Sequence, residues 1–163
     1  MCLYTSQNKP KVAKKAIRCM KVVKRKGDCE YSPMFCWQNR DVSYRVGCET
    51  KIMYFEGDEF AEPLNVEPCS DVITEEYWRV EHGLHSYTVG NRNISTIVSL
   101  YENKYVILEC EIPVGALYYE GHSNMVHSPS DERFESETSY CSDRLSVIRE
   151  VSLFEFKKIY SVL

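Results

Sequence analysis

The stretch Tyr105–Ile112 constrains the fold of this chain more than any other. Val106, Leu108, Cys110 and Ile112 fall on one side of a period of two, and Glu109 and Glu111 fall on the other. That is the pattern of a strand with one face in a core, and Pro113-Val114-Gly115 ends it. Weaker versions recur along the chain. In Ile17–Lys24, Ile17, Cys19 and Val23 alternate with Arg18 and Lys24, while Met20 and Val22 blur the pattern. Tyr31–Trp37, interrupted by Ser32-Pro33, reads as an edge or bulged strand. Val42–Val46 reads as a short strand or turn before Gly47, and Lys51–Glu56 as a strand that stops at Gly57-Asp58. Ala116–Tyr119 reads as a partner strand ending in a turn at Gly121, and Cys141–Ile148 as a late strand carrying Leu145 and Val147.

Helical spacing is clear in one place. Ile94, Ile97, Val98 and Tyr101 recur at i, i+3, i+4 and i+7 behind Asn91 or Asn93 as a cap. Val151–Tyr160 is apolar but declares no type. Roughly six to eight strands and one clear helix, with no internal repeat, give an α+β fold: a mainly antiparallel sheet or open barrel carrying that helix.

At 163 residues the chain has the size of one domain. The reading divides it into a basic, irregular arm at 1–15, pinned by Leu3, Tyr4 and Val12, and a globular body at 16–163. Residues 1–27 hold nine Lys or Arg and no acid, whereas the rest holds eleven against all 24 acids. Such an arm can meet phosphates, an anionic surface or the acidic body of its own or a neighbouring chain; the last is favoured over nucleic acid, binding of which through the arm is a second alternative for function after an NAD-using enzyme, and a homo-oligomer stays open. Residues 57–76 and 122–139 are polar and read as long surface loops.

The opening residues run into lysines without the apolar stretch of a secretory signal, and no segment is long and apolar enough to span a bilayer. The expectation is a cytoplasmic protein with no membrane contact. The eight cysteines, Cys2, Cys19, Cys29, Cys36, Cys48, Cys69, Cys110 and Cys141, include no CxxC pair, so they read as free thiols, with Cys19 and Cys110 as small buried hydrophobes.

Candidate chemistry concentrates in Tyr77–Thr88. His82 and His85, or His122 and His127, could pair on a metal, but residues i and i+3 of a strand face opposite ways, and no metal or other cofactor is expected. No nucleophile elbow, P-loop or GxGxxG occurs. A loose fit to ADP-ribosyltransferase-like enzymes places Arg18 or Arg79, the run His85-Ser86-Tyr87-Thr88 and Glu109 or Glu111 in the order that an NAD-using site needs. The competing reading is a binding pocket. Trp37, Tyr44, Trp78, Tyr87, Tyr118 and Tyr119 offer stacking surfaces, and Arg79, His85, Ser86, Ser142 and Arg144 offer donors for phosphate or carboxylate oxygens.

Met1-Cys2-Leu3, Lys9–Lys15, Tyr31-Ser32-Pro33, Gly83–Tyr87, Ile112-Pro113-Val114-Gly115, Tyr118–Gly121 and Ser142-Asp143 together resemble a family of small proteins of Bacteroidetes, their mobile elements and phages. The resemblance spans most of the chain and assigns no activity and no catalytic residue. It implies a non-enzymatic host-interaction protein of anti-defence type, acting in the host cell cytoplasm where phage-encoded. Such a protein would bind or sequester a nucleotide-like small molecule or a host defence protein; the ligand-binding residues read from the sequence itself are Trp78, Arg79, His85, Ser86, Tyr87, Tyr118, Tyr119, Ser142 and Arg144.

Overall fold

The computed structural model of the protein describes residues 3–34, 42–52, 64, 66–68, 78–80, 82–100, 104–123 and 137–160. In chain order they form β1 (Leu3–Thr5), β2 (Lys11–Val12), β3 (Ile17–Gly27), β4 (Glu30–Pro33), β5 (Tyr44–Arg45), β6 (Glu49–Lys51), β7 (Val66–Pro68), β8 (Trp78–Val80) and β9 (Leu84–Thr88). After them come α1 (Asn93–Leu100), β10 (Tyr105–Ile112), β11 (Leu117–Ser123), β12 (Thr138–Ser142), β13 (Arg144–Val151) and α2 (Leu153–Tyr160). No helix among the described residues is long and apolar enough to cross a membrane. Trp37, Tyr101 and His127 lie outside the described residues, as do most of the two proposed loops.

Every strand pairing is antiparallel, and the sheet runs β6-β13-β10-β3-β9-β12-β11-β1-β8-β7. The α+β expectation therefore holds. The sheet is not a closed barrel, because its path ends at β6 and β7. A branch gives it a curl instead. Along one edge β3 pairs first with β9, through Cys19 and Met20, and then with β4, through Val23–Gly27. β4 carries β5, and residues 46–48 turn back from β5 into β6 at the far end of the sheet.

Alternation then assigns side chains to two faces. On the first, Met20, Val22, Tyr87, Ile107 and Val151 pack under Ile94, Ile97 and Val98 of α1 and Phe156 of α2. The same face continues outward as Leu3, Val80, Tyr119 and Cys141 beneath Leu64. On the second, Cys19, Val23, Leu84, Leu108, Cys110, Ile112, Leu145 and Val147 pack with Tyr31 of β4 and Tyr44 of β5. Both faces of β3 are thus buried at its centre, which is why Met20 and Val22 obscured its period. Cys19 and Cys110 are fully buried free thiols, as expected.

Three expectations need correction. A second helix exists: α2 opens on the Ser152 hydroxyl, which accepts the Glu155 amide at 3.0 Å. Phe154, 78% exposed, had spoiled its apolar stripe. Gly121 makes no turn, because β11 runs straight through it. A Cβ there would lie 2.0 Å from the Tyr4 carbonyl oxygen of β1, so the residue is a close approach between strands. Within the arm, β1 and β2 both join the edge of β11; Leu3 is buried, but the Val12 side chain is 56% exposed, so that residue is held through its backbone alone.

Candidate binding face

The register decides which of the expected site residues can cooperate. Across β9, β12, β11 and β2, Leu84 stands opposite Ser142, Ser142 opposite Tyr118, and Tyr118 opposite Lys11. The next row on the same face is Ser86, Tyr140 and Glu120. The third continues through Thr138, His122, Tyr4 and Arg79 onto β1 and β8. Directly opposite residues share a face, so these rows form the outer half of the second face, beyond the part under β4 and β5. Tyr4, Arg79, Tyr118, Glu120, Thr138 and Tyr140 are partly exposed there, and His122 and Lys11 are exposed.

Of the residues expected from the sequence, the structure brings Arg79, Ser86, Tyr118 and Ser142 to this face. Trp78, His85, Tyr87 and Tyr119 are their immediate neighbours in sequence and project to the other face. His85 Nε2 lies 3.6 Å from Cys141 Sγ there, and Tyr87 and Tyr119 are core residues. Burial holds the Tyr87 phenol above its usual range, so it stays protonated. Arg144 braces the turn after β10. It donates to the Val114 carbonyl at 3.4 Å and lies 3.9 Å from Glu49 and from Asp143.

Sequence reasoning missed Tyr4, Tyr140, Glu120 and the part that His122 plays on this face. The signal was present: Glu120 and His122 follow Tyr118 at intervals of two, and Tyr140 precedes Ser142 by two. Tyr118 and Tyr140 meet edge to face, with ring centroids 6.1 Å apart at 74°. Lys11 pairs with Glu120 at 3.4 Å, both about half exposed. Burial and then the Glu120 carboxylate hold the Tyr140 phenol above its ordinary pKa, so it remains a donor at neutral pH.

At the inner border of this face Lys21 is 7% exposed. The β3–β9 ladder ends at Met20 opposite Tyr87, and the β3–β4 ladder begins at Val23. At that seam the Lys21 ammonium donates to the His85 carbonyl and lies 4.9 Å from the Tyr44 ring centroid. Among the described residues no carboxylate accompanies it. Burial pulls its pKa down to about 8, against an upward pull from the Cys110, Cys141 and Cys19 thiols. Burial in turn pushes the Cys19 thiol up to about 12 and raises Cys110, so both stay protonated and poor nucleophiles.

Of the two glutamates put forward for an NAD-using site, Glu109 is engaged by arginines, and Glu111 is partly exposed on the same strand. Glu109 is 1% exposed and faces Arg18, while Arg149 Nε donates to it at 2.6 Å. Arg149 also donates to Glu155 of α2 at 2.7 Å, a network that ties β3, β10, β13 and α2 together. Among the described residues no three His, Cys, Asp or Glu side chains are grouped to hold a metal. No family model, no curated protein and no solved structure matches the chain.

Proposed function

We propose that the chain is a non-enzymatic binding protein that captures a nucleotide-like small molecule on the outer half of its second sheet face. One observation carries the reading. Tyr4, Tyr118 and Tyr140 share that face with Arg79 and His122, and these five residues reach it from four different strands by register. Aromatic rings accept the flat surface of a base, and Arg79 and His122 are donors suited to phosphate oxygens. The thiols of the inner half are held protonated and Glu109 is engaged by arginines, so neither is set up as a nucleophile or base. The resemblance to proteins of phages and mobile elements suggests the setting, sequestration of a host signal.

Calorimetric titration of the intact protein with nucleoside mono-, di- and triphosphates tests this. Micromolar binding is expected. Tyr118→Ala should weaken it about tenfold, the scale of one base stacked on an aromatic ring. Tyr118→Phe should bind almost as wild type, and Phe154→Ser on α2 should change nothing. No heat from any nucleotide at millimolar concentration, or equal loss from the Phe154 variant, would contradict the reading.

A further inference from the structure

The lysines beside the tyrosine face differ from the other basic residues of the chain's first 27. Arg18, Arg25 and Lys26 stand against Glu109, Glu150 and Glu30, Lys24 lies over the Tyr105 ring, and Lys21 is buried. Lys9, Lys14 and Lys15 are exposed and have no ion pair among the described residues. Lys11 has one, half exposed, with Glu120.

These four lysines are not on a loose tail. β2 is pinned to β11 by Val12 opposite Leu117 and Lys11 opposite Tyr118. Ala13 closes the join, donating to Ala116 at 2.9 Å and accepting from Gly115 at 2.8 Å. Lys11 is thereby fixed beside Tyr118, and the exposed Lys9, Lys14 and Lys15 lie within four residues of it along the chain. That pairing, charge along a backbone track and rings under the bases, is how proteins hold single-stranded nucleic acid without reading its sequence. Glu120 sharpens the orientation. Its carboxylate lies among the tyrosines, where it repels a phosphate, and the unpaired lysines lie at the edge, where they attract one.

We infer that the ligand of this face is a single-stranded oligonucleotide, with bases on Tyr118 and Tyr140 and phosphates along Lys9, Lys11, Lys14 and Lys15. The inference rests on the nucleotide-binding reading and narrows it, because a mononucleotide cannot reach the rings and the whole lysine edge at once. The expected sequence preference is weak, and the expected salt dependence is strong.

Fluorescence anisotropy of labelled ten-residue oligothymidylate and oligouridylate against the full chain provides the test, with AMP and poly-glutamate as competitors. Either oligomer should bind at least tenfold more tightly than AMP at low salt. The slope of log K against log salt should be about −2 to −3, the value for three or four phosphate contacts on a single strand. The double change Lys14→Gln with Lys15→Gln should flatten that slope by about 1.4 and leave AMP binding unchanged. Tyr118→Ala should weaken both ligands, and Glu120→Gln should strengthen the oligomer a few-fold. If AMP binds and the oligomers bind no more tightly, with a slope near zero, the inference fails while the nucleotide reading stands. If neither binds, both fail. Displacement by poly-glutamate as readily as by unlabelled oligomer would overturn the inference in favour of an acidic protein partner.

Discussion

The second sheet face has two halves built on the same pleat, and they treat a lysine in opposite ways. Lys21 lies in the inner half, where β4 and β5 curl over the sheet; its charge is buried and its pKa falls to about 8. Lys11 lies in the outer half, opposite Tyr118, where it is half exposed and pairs with Glu120 across solvent. Residue type and sheet face are the same in both. The covering strands and the central place of β3 decide whether the cation is buried at a cost to the fold or left in solvent, because desolvation, and not charge as such, sets the cost.

The outer half depends on the close approach of β1 and β11, and breaking it should have the largest effect. Gly121→Ala places a Cβ within 2.0 Å of the Tyr4 carbonyl oxygen, a backbone clash that only strand movement relieves, and a loss of about 4 kcal/mol is expected in chemical denaturation. Hydrogen exchange should show β1 and β11 losing protection while β3, β10 and β13 keep theirs. A loss under about 1 kcal/mol would mean that the two strands are not so close.

The inner half answers to pH. The unfolded chain holds the Lys21 proton up to its ordinary value of 10.5, and the folded chain releases it near 8. Between those values the unfolded state binds more protons, so this residue makes stability rise with pH across that window, and its penalty is fully present below 8. The buried thiols act in the opposite direction, since raised pKa values make stability fall above about 9. Comparing Lys21→Met with wild type removes the thiols from the difference except for their coupling to Lys21 itself. The variant should be the more stable at pH 7, and its advantage should shrink by about 3 kcal/mol by pH 10.5. A gap independent of pH would show that Lys21 keeps its charge in solvent. The smallest effect belongs to Asn91, which accepts the Asn93 amide at 3.0 Å and donates to the Thr138 carbonyl at 3.1 Å. Asn91→Ala should cost about 1 kcal/mol in thermal denaturation, the scale of one lost cap, without altering ligand affinity.

Local patterns that depend on one strand or one helix were legible in the sequence. β10 alternates as its residues imply, and α1 starts at the asparagines that mark it. What was not legible depended on distant strands. Gly121 looks like a turn until the Tyr4 carbonyl is placed against it. Lys21 looks like one more solvated charge of a basic stretch until β4 and β5 cover it. The candidate site was half legible. Arg79 and Tyr118 lie on the tyrosine face, whereas Trp78, His85 and Tyr119, each next in sequence to a residue of that face, lie on the other, because adjacency in a strand means opposite faces. Tyr4 and Tyr140 could not be joined to Tyr118 without the register of β1, β11 and β12.

The proposal that the outer half of the second face binds a ligand while the inner half only supports the fold is tested most directly by amide chemical-shift mapping. With oligothymidylate or AMP added to the labelled protein, shifts are expected at Lys11, Tyr118, Glu120, His122 and Tyr140, and none in the middle of β3, β10 or β13. Shifts confined to the α1 and α2 face, or spread over β3 and β10, would contradict it.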